Sequence, residues 1–381
     1  MTKKTTRKKE YSENQQVLFM AFELGASKWV LGFSIGLGQK ARKRTIEAGD
    51  VNALQQEIAA AKERFRLSDN SKIKSCYESG RDGFWIHRYL ETLQVQNCVI
   101  DSSSIEVNRK RRRAKTDSLD VDSLLKLLIH HHLGEKKVFS MVRVPSEQEE
   151  DRRHLHRGFQ TLKKEKTRTT NRLRGLLATQ GIRMPRLELS DGRLQAIRMW
   201  NGKGLGEGLK SRLKTEWERV LQLREQIRAL EAERQSRLKC KERPEIKQVK
   251  QLNTLRGIGL ESSWPLVHEF LWRDFRNRRE IGSLVGLTPT PYDSGDSKRE
   301  QGISKAGNRH VRAIAIELAW SWVRHQPNSK ITLWFKERFS EAGKRARKIG
   351  IVAVARRLII ELWRFLKIGV VPEGALLKAE A

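Results

Sequence analysis

The chain has only three cysteines in 381 residues, Cys76, Cys98 and Cys240, and no two form a CxxC pair. That excludes a disulfide framework and a zinc knuckle, and it suits a reducing compartment. Long apolar runs are missing too. A membrane-spanning helix needs roughly 20 apolar residues. Val17–Phe22 is far shorter, and Ile351–Leu366 is broken by Arg356, Arg357, Glu361 and Arg364. The start, Met1–Glu10, is basic but leads into no apolar signal core, so the expectation is a cytoplasmic protein with no membrane partner. Acids are scarce: 45 Asp and Glu face 77 Lys and Arg, a net charge of +32. Such an excess calls for a polyanionic partner and places the chain near the nucleoid. Hydrophobic residues still make up 38% of the chain, enough for real cores, so wholesale disorder is excluded.

At roughly 100–200 residues per domain, the length predicts two or three domains. Residues 1–15 form a basic arm, expected to be disordered. Over 16–150, short apolar runs alternate with helical patterns. Val17–Phe22 and Trp29–Ile35 are expected strands, joined by a turn at Gly25-Ala26-Ser27; Ala41–Ile46, Ile73–Tyr77 and Val95–Ile100 follow as three more. Helices are expected over Val51–Phe65 and Phe84–Leu93, and from Thr116 onward. This order is α/β with a mixed sheet.

Over 151–240 the pattern becomes helical. Leu213, Trp217, Val220, Leu223, Ile227 and Leu230 recur at helical steps, and the glycine-rich Asn201–Gly208 divides them from an earlier series through Leu155, Phe159 and Leu173. Two long antiparallel helices are expected, and a coiled coil or an ordinary helical linker fits the spacing equally well. Residues 241–381 make a mainly α-helical third unit with a Gly/Pro/Ser-rich loop at 287–307. Trp320, Trp322, Trp334 and Trp363 are expected to pack between helices rather than to stack on bases.

Four acids stand out. Glu23 follows the first strand, Glu78 follows the fourth, and Asp117 and Asp120 lie where a helix begins in Lys115-Thr-Asp-Ser-Leu-Asp-Val-Asp122. Residues three apart share a helix face, so Asp117 and Asp120 can point at one place. A carboxylate ending an apolar strand is awkward without a cation or partner. Taken singly, each is an ordinary surface acid, with Asp117 favouring a helix N-terminus. Taken together, they suit Mg²⁺ or Mn²⁺, which prefer oxygen ligands and in pairs stabilise phosphoryl transfer. The arrangement resembles the RNase H/RuvC-like nucleases, whose acidic tetrad holds two divalent metals.

Basic clusters accompany these acids. Arg109, Lys110, Arg111, Arg112, Arg113 and Lys115 directly precede the acidic helix and would grip a phosphate backbone beside it. Leu252-Asn-Thr-Leu-Arg-Gly-Ile-Gly259 resembles the turn of a helix-hairpin-helix, in which Gly257 and Gly259 let backbone amides approach a phosphate. A tight turn between core helices explains the same glycines. His130-His131-His132 cannot converge on one metal, because neighbours on a helix diverge by about 100°.

Glu23, Glu78-Ser-Gly, Lys-Thr-Asp117-x-x-Asp120, Gly-Ile-Gly259, Gly-Leu-Thr-Pro289, Ser294-Gly and Gly-Ile-Ser-Lys-x-Gly-Asn308, in that order, resemble the DEDD insertion-sequence transposases. That family is related to the pilin-gene invertase Piv and comprises recombinases guided by a bridge RNA. The resemblance spans about residue 17 to residue 320. It implies a RuvC-like domain joined through a helical coiled-coil segment to a C-terminal transposase domain with a serine nucleophile. It further implies donor and target DNA, a noncoding bridge RNA, a tetramer built as a dimer of dimers, and an active site shared between subunits. Carried onto this chain, the tetrad is Glu23, Glu78, Asp117 and Asp120, and the nucleophile is Ser294. Ser304 and Ser297 are the alternatives. Glu23 departs from the family's usual Asp by one carbon–carbon bond, roughly 1.5 Å. Lys298, Arg299, Lys305 and Arg309 flank the serine loop and would neutralise charge developing on phosphorus. Two other readings compete. One is a junction-resolvase-like nuclease in which water attacks; the other is a nucleic-acid-binding protein with no catalysis.

Overall fold

The computed structural model describes residues 17–105, 116–135, 138–240, 243–294 and 297–378, with backbone alone over 291–294 and 297–301. The chain divides into two units, Met1–Pro145 and Ser146–Ala381. The helical segment expected over 151–240 and the C-terminal segment expected over 241–381 both fall in the second. The arm over residues 1–15 and the basic run at 109–115 lie outside the described residues.

The first unit is a five-stranded mixed sheet in the order β3-β2-β1-β4-β5. Its strands are β1 (Leu18–Leu24), β2 (Lys28–Ser34), β3 (Arg42–Glu47), β4 (Ile73–Glu78) and β5 (Gln96–Ile100). β1 runs antiparallel to β2 and parallel to β4; β5 is parallel to β4. Two helices make the crossovers, α1 (Val51–Arg64) and α2 (Trp85–Thr92). Asp50 caps α1 by accepting from the Ala53 amide, a contact worth about 1 kcal/mol.

Because side chains alternate across a sheet, Leu18, Met20 and Phe22 of β1 pack into one core with Leu54, Ile58, Ile86 and Leu90. Phe19 and Ala21 face the other way. They join Cys76 of β4 and Ile100 of β5 beneath Val121, Leu124, Leu125 and Leu128 of α3 (Asp117–His132). Helices thus cover both faces, which is why β1 is buried along most of its length. A Cβ on Gly32 would stand 2.3 Å from a Val121 methyl. Glycine at that position lets α3 lie close on the sheet.

The second unit is helical. α4 (Glu147–Ala178) and α6 (Glu207–Lys239) form an antiparallel pair: Gly158 faces Leu230, while Arg172 donates to Glu216 at 2.6 Å further along. A box of Ser146 and Glu149 caps α4. The segment between the two helices is more than a glycine spacer. It contains α5 (Asp191–Ala196) and brings Leu187, Leu189, Leu194 and Leu205 onto Leu173, Leu177, Leu213 and Trp217. Then come the α-helices α7 (Pro244–Asn253), α8 (Leu260–Leu266, continued by a π-helical turn over Val267–Leu271), α9 (Arg278–Val285), α10 (Arg309–His325), α11 (Lys330–Phe339) and α12 (Lys344–Ile368). Their core takes in Leu155 of α4 and is flanked by Leu230 and Leu238 of α6, so the long pair is packed into this unit.

Charged groups seal that junction. Arg157 grips Glu269 with two hydrogen bonds, at 2.6 and 2.8 Å, although Glu269 is only 4% exposed. Burial pushes the Glu269 carboxyl up, but the Arg157 hydrogen bonds and charge outweigh it and hold it below the usual range. Nearby, His156 is buried with neither ring nitrogen hydrogen-bonded among the described residues. Burial pushes it down to about 4; Glu261 and Glu269 oppose the shift, and Arg234 and His268 add to it.

The unfolded chain takes up the His156 proton near 6.5, whereas the folded chain refuses it until about 4. Stability is therefore lost as pH falls through that window, about 3 kcal/mol when complete. His156→Leu is expected to flatten this part of the stability–pH curve by about 2 kcal/mol between pH 7 and 5. Urea unfolding of both proteins across the range checks it; parallel curves would assign the acid sensitivity elsewhere.

Candidate functional site

The register of β1 and β4 brings the first two acids together. Phe22 pairs with Tyr77 in the parallel ladder, so the next positions, Glu23 and Glu78, are neighbours roughly 4.8 Å apart in the backbone. Both continue the face of Ala21 and Cys76, the face that α3 covers. Burial pushes the Cys76 thiol well up, and Cys98 and Glu78 charge add to the effect.

Contacts along α3 show which of its ends meets these strand ends. Its C-terminal His132 lies against Phe19, with rings 5.2 Å apart, and against Lys74 Nζ at 2.8 Å, both near the strand starts. Further back, the Leu124 carbonyl accepts from the Cys76 thiol at 3.6 Å. One turn before Leu124 is Asp120, about 6 Å up the helix. Two residues beyond Cys76 is Glu78, about 6.6 Å up the strand. Asp120 therefore stands at the level of Glu78, and Asp117 follows on the same helix face. Glu23, Glu78 and Asp120 are half-buried and Asp117 is exposed.

The third acid of this stretch is used differently. Lys43 of β3 donates to Asp122 at 2.6 Å and to the Ser118 hydroxyl at 2.7 Å, pinning the first turns of α3 to the sheet. The four remaining carboxylates offer only oxygen donors, which fits a hard divalent cation. Among the described residues, no group of three or more His, Cys, Asp or Glu is placed to hold a metal as it stands. The three neighbouring histidines diverge: His130 bonds Glu135, His131 stacks on Phe139, and His132 meets Lys74.

In the second unit, the stretch expected as a loop at 287–307 is a hairpin of β6 (Pro289–Ser294) and β7 (Ser297–Ile303). Ser294 and Ser297 are register partners where β6 ends and β7 begins, and Lys298 and Arg299 pair with Asp293 and Tyr292 across the ladder. Ser304 is different in kind. It lies at the hairpin's foot, where its hydroxyl accepts from Thr288 at 3.3 Å and its amide donates to the Thr288 carbonyl. Lys305 and Arg309 follow, both exposed.

Two glycines lock that foot. Gly286 ends α9 at φ +70°, where a Cβ would stand 2.0 Å from the Ala306 carbonyl oxygen. Gly307, at φ +75°, would place one 1.9 Å from the Leu284 carbonyl oxygen. Asn308 then caps α10, and Arg312 donates to the Val285 and Ala306 carbonyls. Gly286→Ala and Gly307→Ala are each expected to cost about 2–4 kcal/mol in chemical unfolding, from left-handed strain plus collision. A loss under about 0.5 kcal/mol would mean that the foot yields.

The Gly257–Gly259 turn joins α7 to α8 and has a packing explanation. At Gly257, with φ +85°, a Cβ would stand 3.0 Å from the His325 Cβ, and the Gly257 carbonyl accepts from Ser321 at 2.7 Å. Gly259 is exposed, with open space around it.

A five-stranded mixed sheet of this order, followed by a helical C-terminal half, is compatible with an RNase H-like N-terminal domain. Among the described residues, no helix is long and apolar enough to cross a membrane. The model of the Transposase IS116/IS110/IS902 family matches residues 249–332, from α7 through the hairpin into α11. The chain is 38% identical to "Putative transposase y4rJ" of Sinorhizobium fredii over 95% of its own length and 94% of that protein's. It is 27% identical to the transposase for insertion sequence element IS1111A of Coxiella burnetii, over 54% of this chain and 55% of the other. With the transposase for insertion sequence element IS1328 of Yersinia enterocolitica it shares 28% over 43% and 48%. The chain belongs to the IS116/IS110/IS902 family: it is an insertion-sequence transposase, an enzyme that acts on DNA.

Proposed function

We propose that this transposase cuts and exchanges DNA strands with Glu23, Glu78, Asp117 and Asp120 as a carboxylate centre and Ser294 as the nucleophile. The observation that carries the reading is the convergence of two strand ends and one helix start at one end of the sheet. The four acids would hold Mg²⁺ or Mn²⁺, which when bound offsets negative charge on the reacting phosphate. Ser294 is the last residue of β6, in a strand pair whose foot is locked by Gly286 and Gly307. Its oxygen attacks phosphorus, the bond to the 3′-oxygen breaks, the serine proton is lost and the 3′-oxygen gains one. The products are a 5′-phosphoserine link and a free 3′-hydroxyl. Phosphodiester energy is conserved, so rejoining needs no nucleotide cofactor. The basic residues Arg109–Lys115, Lys298, Arg299, Lys305 and Arg309 are assigned to the phosphate backbone.

The finer parts of the reading rest on the family resemblance: RuvC-like character of the first domain, a coiled-coil role for α4 and α6, a helix-hairpin-helix role for Gly257 and Gly259, a bridge RNA that selects donor and target, and a tetramer. The net charge of +32 suits two nucleic-acid partners. The test is covalent capture of labelled DNA by the full chain with Mg²⁺, and its loss in Ser294→Ala. Cutting without capture would favour the resolvase-like reaction in which water attacks.

A further inference from the structure

Residues of α9, α11 and α12 and of the foot of the β6–β7 hairpin line an open cavity of ≈ 700 Å³ that plays no part in the chemistry above. Its cations come from two places far apart in sequence: Arg278 and Arg279 open α9, and Arg356 and Arg357 lie midway along α12. Its floor is apolar, formed by Leu287, Ile349, Val352 and Ile360, and Ile349 is 55% exposed although hydrophobic. Among the described residues, no Asp or Glu lines it. The next acid along α12, Glu361, is engaged by Arg364 at 3.1 Å.

Within the cavity the Arg357 guanidinium lies 3.7 Å over the Trp334 ring, making a flat cationic shelf. Burial and the neighbouring Arg338 charge lower its proton affinity. Before Ile349, the first turns of α12 carry four exposed cations, Lys344, Arg345, Arg347 and Lys348. A small-molecule anion would leave the apolar floor unused, and an apolar ligand would leave four arginines unmatched. A nucleotide satisfies both: its base has an apolar, stackable face and its phosphates are anionic. A duplex keeps its bases stacked and could use only the rim.

We propose that this cavity seats an unstacked nucleotide of single-stranded DNA, with its base on the floor and shelf and its flanking phosphates on the arginines. Only the choice of DNA as the polymer rests on the transposase reading. Ser294 lies five residues beyond the cavity-lining Pro289 on β6, roughly 17 Å at strand rise. A displaced strand held here would be anchored close to the hairpin that carries the nucleophile.

The test is fluorescence anisotropy of a short labelled oligothymidylate with full-length protein in EDTA, so that neither metal nor cutting is involved. Arg278→Ala/Arg279→Ala, both at exposed positions, is expected to weaken binding about tenfold and to lower the log–log salt slope by about 1.4, or 0.7 per phosphate contact. Ile349→Glu is expected to weaken it similarly and to erase the preference for oligothymidylate over an abasic chain of equal length. Arg224→Ala/Arg228→Ala on α6 removes the same charge elsewhere and is the control. The proposal is overturned if the control loses as much as the cavity variant, or if wild type binds the abasic chain equally well. Preference for duplex, or for oligouridylate over oligothymidylate, also overturns it. Binding that survives Ser294→Ala keeps this inference separate from the serine chemistry.

Discussion

Asp120→Asn is expected to leave DNA bound and uncut. The substitution keeps the shape of the side chain and removes its charge, and Asp120 stands at the level of Glu78 where α3 crosses the end of β4. A carboxylate centre that loses one charge binds a divalent cation less well and no longer offsets charge on the reacting phosphate. The expected loss is about a thousandfold or more in cutting rate, equivalent to about 4 kcal/mol of barrier. The fold should barely respond, because one acid fewer in the first turn of α3 costs about 0.5 kcal/mol through the helix dipole. Asp122→Asn supplies the contrast. It breaks the bridge from Lys43, a partly exposed pair worth about 1 kcal/mol at most, and should leave cutting intact. Single-turnover cleavage of a labelled substrate with Mg²⁺ decides the matter: a wild-type rate for Asp120→Asn removes the carboxylate centre from the mechanism.

Much of the first unit could be read from its residues. The runs at 18–24, 28–34, 73–78 and 96–100 carry enough apolar side chains for burial on the sheet, and the helix from Thr116 has an apolar face through Val121, Leu124, Leu125 and Leu128. What one dimension could not show is adjacency. Glu23 and Glu78 meet only because β4 adds to the edge of β1 opposite β2, and that pairing is decided by crossover geometry rather than by either run. The hairpin was hidden for another reason. β6 holds two prolines and β7 is dense in charge, so neither shows the apolar alternation of a strand facing a core. The segment before α6 looked like a spacer because its leucines, at 187, 189, 194 and 205, follow no single period; they fold onto α4 and α6 as a short cap. Trp322 packs as expected, buried and bonded to Ser329 at 2.9 Å, whereas Trp320 on the same helix is 44% exposed. The arginine cavity had no local signal at all, because its two halves lie on α9 and α12.

Ser294→Ala is expected to abolish the covalent protein–DNA adduct while DNA binding and stability stay near wild type. Ser294 is the last residue of β6, and alanine there deletes a hydroxyl without altering the ladder with β7. Serine is a poor nucleophile unless its proton is removed as it attacks, and water is present at far higher concentration. The adduct therefore separates the two mechanisms better than the cutting rate does. If Ser294 attacks, the variant loses the adduct and the exchange of strands together, and any residual nicking is slow hydrolysis. If water attacks, the wild type forms no adduct and the variant cuts as well as its parent. Ser297→Ala and Ser304→Ala sharpen the assignment. Ser297 is the register partner of Ser294 on the returning strand. Ser304 is tied to Thr288 at the hairpin foot, so its loss should cost about 1 kcal/mol of stability and leave the adduct in place. Denaturing gels of 5′- and 3′-labelled DNA read all of these outcomes. An adduct that persists in Ser294→Ala and disappears in Ser297→Ala would move the nucleophile to the returning strand; one that persists in all three would take the chemistry out of the hairpin.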